Sequence, residues 1–270
     1  MKRLVSYQPQ YFPRLHYFAR ILNADVFCIA DNVQFVRKHA YHKADGSNPI
    51  GPSYQAHTPI KGANGLLMLD FPTKHSGNLN INETPFGFAK PQERTRHLRI
   101  IAEQYRKAPQ FPDVYPTLEE FWRKEYATVA ELNSASIAWG LSHLFELPRI
   151  EKQAVFSSLP HVDYRLSDVV LSSESGVPGS DKAEGRDAND WLVDLCKKYN
   201  ADEYYFGGTG ASAYMDFSKF EKAGIALKEQ AWTLSPYPQL RGDFIPNLSI
   251  IDLLMNVSPA EARAILKSTD

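Results

Sequence analysis

Residues 2–8, KRLVSYQ, read as a strand that ends against Pro9, because proline brings no N–H to a ladder; Pro13 follows closely. Residues 15–22, LHYFARIL, then place apolar side chains at 15, 18, 19, 21 and 22, the spacing of a short amphipathic helix. Asn23-Ala24-Asp25 turns the chain into residues 26–30, VFCIA, an unbroken apolar run of the kind a strand covered on both faces requires. Strand, proline loop, helix and buried strand predict an α/β fold: a Rossmann-like parallel sheet with a right-handed crossover.

Outward from this start, residues 32–85 turn rich in Gly, Pro, Asn, His and Lys, which predicts a loop or hairpin insertion with short strands at 54–60 and 66–71. Helices are expected over 89–108, 117–126 and 128–147, a largely helical middle region. A strand is expected at 150–156, and residues 167–186, rich in Ser, Gly and Asp, read as a mobile loop. A second α/β part follows: helix 188–198, strand 203–206, a glycine turn at 207–212 and a strand at 225–230. Two C-terminal helices, 248–257 and 259–267, close the chain, the second with Ser258 as N-cap and Pro259 at its first position. The expected organisation is one domain over 1–270, in parts 1–88, 89–147 and 148–270.

The 270 residues are 43% hydrophobic and 12% aromatic, enough to bury a core without disulfides or structural metal. Lys and Arg number 30 against 31 Asp and Glu, with no long basic run, which argues against a phosphate-backbone binder and so against nucleic acid. No apolar run approaches a membrane span, and the N-terminus does not read as a signal peptide. Cys28 and Cys196 fall in no metal or redox spacing and are expected as buried reduced thiols of a cytoplasmic protein.

Three loops follow strands and carry the candidate chemistry. After the first, Gln8 and Gln10 offer hydrogen bonds to a nucleotide or sugar, and Tyr11 or Phe12 a stacking face; a rigid turn with core aromatics fits the same residues. After the second, Asp31, Gln34 and Arg37 bring a carboxylate, an amide and a cation to the same sheet edge, a set able to orient a polar substrate or hold Mg²⁺. The third is Gly207, Gly208, Thr209, Gly210 and Ser212 with Tyr214, whose glycines let backbone N–H groups approach an anion, although the GxGxxG and GK[ST] spacings are absent. Arg241 is a candidate anion clamp, or a surface partner of Asp243 or Asp252. His39, His42, His57 and His75 lack ligand spacing, so no metal site is expected, and His16 is a candidate general base. Ser157-Ser158 has no hydrolase motif around it.

QPQYFP at 8–13, AD-VF-I-D-VQF over 24–35, YRKAP at 105–109, YYFGGTGAS-Y-D over 204–216 and F-PNLSIIDLLMN over 244–256 together resemble the WbqC-like family, in order and over nearly the whole chain. The resemblance implies an enzyme of bacterial surface-polysaccharide (O-antigen) and nucleotide-sugar metabolism, a transferase forming an amide between an amino-acid or other acyl group and an amino sugar. His16 stands where members often carry glycine, and Asp31-Asn32 where they often carry two acids. The opening also looks, more remotely, like pantothenate-synthetase-type HIGH-motif nucleotidyltransferases, with Pro13 and Tyr17 roughly in place of the two histidines.

The leading expectation is therefore a small-molecule enzyme in which Asp31, Gln34, Arg37 and His16 are catalytic. ATP with Mg²⁺, or acyl-CoA, would supply the activated acyl group, and a nucleotide-linked amino sugar would accept it. The rivals are nucleotidyl transfer from an NTP to a sugar or carboxylate, and a non-catalytic sugar- or nucleotide-binding partner of glycan assembly.

Overall fold

The computed structural model describes residues 1–40, 50–73, 78–87, 91–147, 164–179, 185–207 and 215–267. Its centre is a five-stranded sheet. The strands are β1 (Arg3–Tyr7), β2 (Val26–Ile29), β7 (Asp168–Leu171), β8 (Glu203–Phe206) and β9 (Ala226–Glu229). Their order is β7-β2-β1-β8-β9, and every pairing is parallel. The chain winds outward through β2 to β7, then returns to the other side of β1 for β8 and β9. The winding direction thus reverses between β1 and β8, the topological switch point at whose carboxyl ends α/β sheets generally take ligands.

Side chains alternate across the sheet, as a pleated strand requires. Val5, Phe27 and Ile29 join the larger core beneath α1 (Leu15–Leu22), whereas Leu4, Val26 and Cys28 join a second core with α5 (Ala188–Lys198). The VFCIA run is apolar throughout because both faces of β2 are covered. The larger core also takes in α2 (Pro91–Tyr105), α3 (Phe111–Arg123), α4 (Val129–Leu144), α7 (Ile250–Asn256) and α8 (Pro259–Leu266). Short α6 (Phe217–Lys222) packs with α5 on the opposite face. Where α1 meets α4, Gly140 lies so close to Phe18 that a Cβ there would stand 2.6 Å from its ring.

The insertion after β2 holds two hairpins, β3 (Lys38–Ala40) with β4 (Ile50–Pro52) and β5 (His57–Gly62) with β6 (Gly65–Asp70). The loop expected over 167–186 is corrected in its first part: β7 forms there and pairs with β2 over four residues, from Val26↔Asp168 to Ile29↔Leu171. Four residues, DVVL, among Ser and Asp are too short to outweigh the loop signal locally. The helix expected at 117–126 begins earlier, at Phe111, with Pro112 in its first turn, where the missing N–H costs nothing. The strand expected at 150–156 lies outside the described residues. Among the described residues no helix is long and apolar enough to cross a membrane.

Candidate functional site at the sheet switch point

The QPQYFP loop leaves β1 and immediately enters the core. Tyr11 and Phe12 are fully buried. The Tyr11 hydroxyl meets His97 Nδ1 at 2.7 Å, and its ring packs edge-on against Phe71. Phe12 is held at φ +37° by three contacts: its N–H donates to Ser136 Oγ at 3.0 Å, and its carbonyl accepts from Thr58 at 2.7 Å and Ser249 at 2.9 Å. The ligand stacking expected of Tyr11 and Phe12 is therefore corrected, because their rings already stack on protein. Gln10 is enclosed too, and its carbonyl accepts from Ser136 Oγ.

Gln8 differs. Its Oε1 accepts from the Tyr54 hydroxyl at 2.9 Å and from Gln55 Nε2 at 2.7 Å, two donors that fix the orientation of the amide. Its NH₂ finds no acceptor among the described residues, and the half-buried side chain stands at the carboxyl end of β1.

In the first turn of α1, His16 presents its backbone N–H and ring Nδ1 to Asn247 Oδ1, each at 3.1 Å. That oxygen only accepts, so Nδ1 carries the proton and Nε2 the lone pair. Burial, then the charge of Arg20, and less strongly Arg14, push the His16 pKa down to about 4 against the opposing Asn247 bond. His16 is thus a neutral imidazole whose Nε2 meets no hydrogen-bond partner among the described residues.

Arg20 lies four residues on, along the same helix face. Side chains on a helix lean towards its N-terminus, which carries the guanidinium back to the carboxyl end of the sheet. It lies over the Tyr7 ring at 4.7 Å and donates Nε–H to Gln230 Oε1 at 2.9 Å. Gln230, directly after β9, also donates Nε2–H to the His16 carbonyl at 3.0 Å. His16, Arg20, Gln230 and Gly207 thus meet where β8 and β9 end, and Gln8 directly follows β1.

Asp31 is tied up elsewhere. Its Oδ1 accepts from Ser172 Oγ and the Ser173 N–H, each at 2.9 Å, and its Oδ2 from Ser173 Oγ at 2.6 Å. With 4% of its surface exposed, the Asp31 carboxylate joins the ends of β2 and β7, a structural role at the position expected to be catalytic. Gln34 is exposed and bridged to Asn80, and Arg37 is exposed; among the described residues neither bonds to the Gln8, His16 and Arg20 group. Arg241 is corrected as well: it donates to Gln104 Oε1 at 3.0 Å at the end of α2. Gly208, Thr209, Gly210, Ser212 and Tyr214 lie outside the described residues. Among the described residues no cluster of three His, Cys, Asp or Glu is placed to hold a metal.

Arg20, Gln230 and Asn247 are the members that sequence reasoning missed. One signal was present: Arg20 is the lone cation in the otherwise apolar end of LHYFARIL, four residues after His16.

The comparisons with known proteins agree with the motif order. The chain is 26% identical over 274 residues to the uncharacterized protein Rv1507c of Mycobacterium tuberculosis, covering 99% of this chain and 98% of that one. No solved structure matches. The model of the WbqC-like protein family matches residues 8–264, nearly the whole sequence from the QPQYFP loop to the last helix. The chain belongs to the WbqC-like protein family.

Proposed function

We propose that this protein is an enzyme of bacterial surface-polysaccharide precursor synthesis that transfers an amino-acid or other acyl group to a nucleotide-linked amino sugar, forming an amide. The observation that supports it best is the neutral His16, with Nδ1 anchored on Asn247 and Nε2 without a hydrogen-bond partner among the described residues. In this reaction the amine nitrogen attacks the acyl carbon, an N–C bond forms, and the bond to the leaving group breaks. The nitrogen becomes acidic as it attacks, and a neutral imidazole takes its proton and hands it to the leaving group. The free NH₂ of Gln8, oriented by Tyr54 and Gln55, is a donor suited to the oxyanion that develops on the acyl carbon.

The test is incubation with dTDP- or UDP-linked amino sugars and either acyl-CoA or ATP with a carboxylic acid and Mg²⁺, with product read by mass spectrometry. Amide product is expected from the wild type. His16→Asn is expected to lower kcat by about 10²–10⁴, the range of a lost general base, with an unchanged melting temperature. Pyrophosphate release without loss of the amine would point instead to nucleotidyl transfer. Binding without turnover would point to a non-catalytic partner.

A further inference from the structure

Arg20 is 6% exposed, and Ala19 and Ile21 beside it are wholly buried. A guanidinium in such a place costs free energy unless its charge is answered. Arg3, Arg94, Arg165, Arg186 and Arg263 each meet a carboxylate, on Glu203, Glu125, Asp25, Asp194 and Glu146 respectively. Arg20 meets none among the described residues. Its only hydrogen bond there runs from Nε to a neutral amide, Gln230, which leaves the two Nη groups without acceptors.

The surroundings hold the group in one place. The Tyr7 ring lies on it, and the Cα of Gly207 lies so close that a Cβ built there would stand 2.0 Å from Nη2, 2.4 Å from Cζ and 2.9 Å from Nη1. Glycine at 207, the first residue after β8, is thus explained by the guanidinium it accommodates. The Nη1 and Nη2 groups form the fork that engages two oxygens of a carboxylate or phosphate at once. The location is the topological switch point at which α/β sheets take ligands. By contrast, two cations of the cleft between α5 and α6 already meet carboxylates, Arg186 with Asp194 and Lys219 with Asp187 and Asp190.

We propose that Arg20, held by Gln230, Tyr7 and Gly207, is an oxyanion clamp that binds a phosphoryl or carboxylate group of the substrate at the switch point. This deepens the reading of that location as the substrate site. A bound anion beside His16 also offsets the Arg20 charge and favours proton acceptance there.

The experiment titrates the full-length protein at low ionic strength with pyrophosphate, UDP or acetate and reads melting temperature and calorimetric binding. Pyrophosphate and UDP represent the phosphoryl source, and acetate the carboxylate source. At least one is expected to bind and raise the melting temperature. Arg20→Gln and Gly207→Ala, which displaces the guanidinium while keeping its charge, are each expected to weaken binding at least tenfold. In the native protein, hydrogen exchange at Gly207 and Gln230 is expected to slow with the bound anion, a readout that needs no variant. Failure of all three anions to bind, equal binding in both folded variants, or unchanged exchange at Gly207 and Gln230 overturns the clamp. Binding is read without turnover, so that outcome stays separate from failure of amide formation.

Discussion

Asp31 follows β2 by two residues with both carboxylate oxygens accepting hydrogen bonds from Ser172 and Ser173, so its removal strands the Ser173 N–H and hydroxyl and leaves Ser172 Oγ only Asn32 to donate to. Asp31→Ala is expected to lower stability by about 1–3 kcal/mol, the cost of leaving buried polar groups unmet, and to leave kcat of the folded fraction intact. Urea denaturation with an activity assay checks this, and an inactive variant of wild-type stability would contradict it. For His16 the expectation lies in the pH profile: with a pKa of about 4 in the free protein, kcat/KM stays flat on its acid side down to about pH 5 and falls below that. An acid limb near 6.5 would mean that another group is the base. A sequence shows that an Asp or a His follows a strand, but not which neighbour saturates it. Asp31 is claimed by serines 141 and 142 residues away, which no local pattern encodes.

At the scale of elements, α1 and α4 approach through Gly140, whose missing side chain lets Phe18 fill the gap. Gly140→Ala gains helix propensity but drives a methyl to within 2.6 Å of that ring, so overpacking decides the sign. A net loss of about 1–3 kcal/mol is expected by chemical denaturation. Helix α1, helix α5 and strand β8 were legible in the sequence to the residue, because apolar spacing, the Asp187 capping box and the EYYF run all agree locally. Strand β7 was not, since its four residues gain their identity from pairing with β2. The parallel α/β sheet followed from the opening βαβ unit. The reversal between β1 and β8 needed the structure, because 200 residues separate Arg3 from its partner Glu203.

Across the whole molecule, burial pushes the pKa values of His16, His97 and His143 down to about 4 from an ordinary 6.5. The unfolded chain therefore binds more protons than the native one between these values. The histidines' contribution is complete above pH 6.5 and is lost as pH falls towards 4, by up to ~1.4 kcal/mol per pH unit per residue. Asp252, whose carboxyl is raised by burial, acts in the opposite sense at the acid end of that window. Urea midpoints are expected to hold between pH 7.5 and about 6.5 and to fall from there to pH 4.5, and constant midpoints throughout would show that these rings are charged or exposed. The loop around Phe12 carries a further consequence. Its backbone is fastened to Thr58, Ser136 and Ser249, which lie 46, 124 and 237 positions along the chain. Because those closures span nearly the full length, loop-closure entropy must be met before they reward the fold. On the ribosome the exit loop of β1 can meet Thr58 and then Ser136 early, while its last fastening, to Ser249, waits until the start of α7 has emerged.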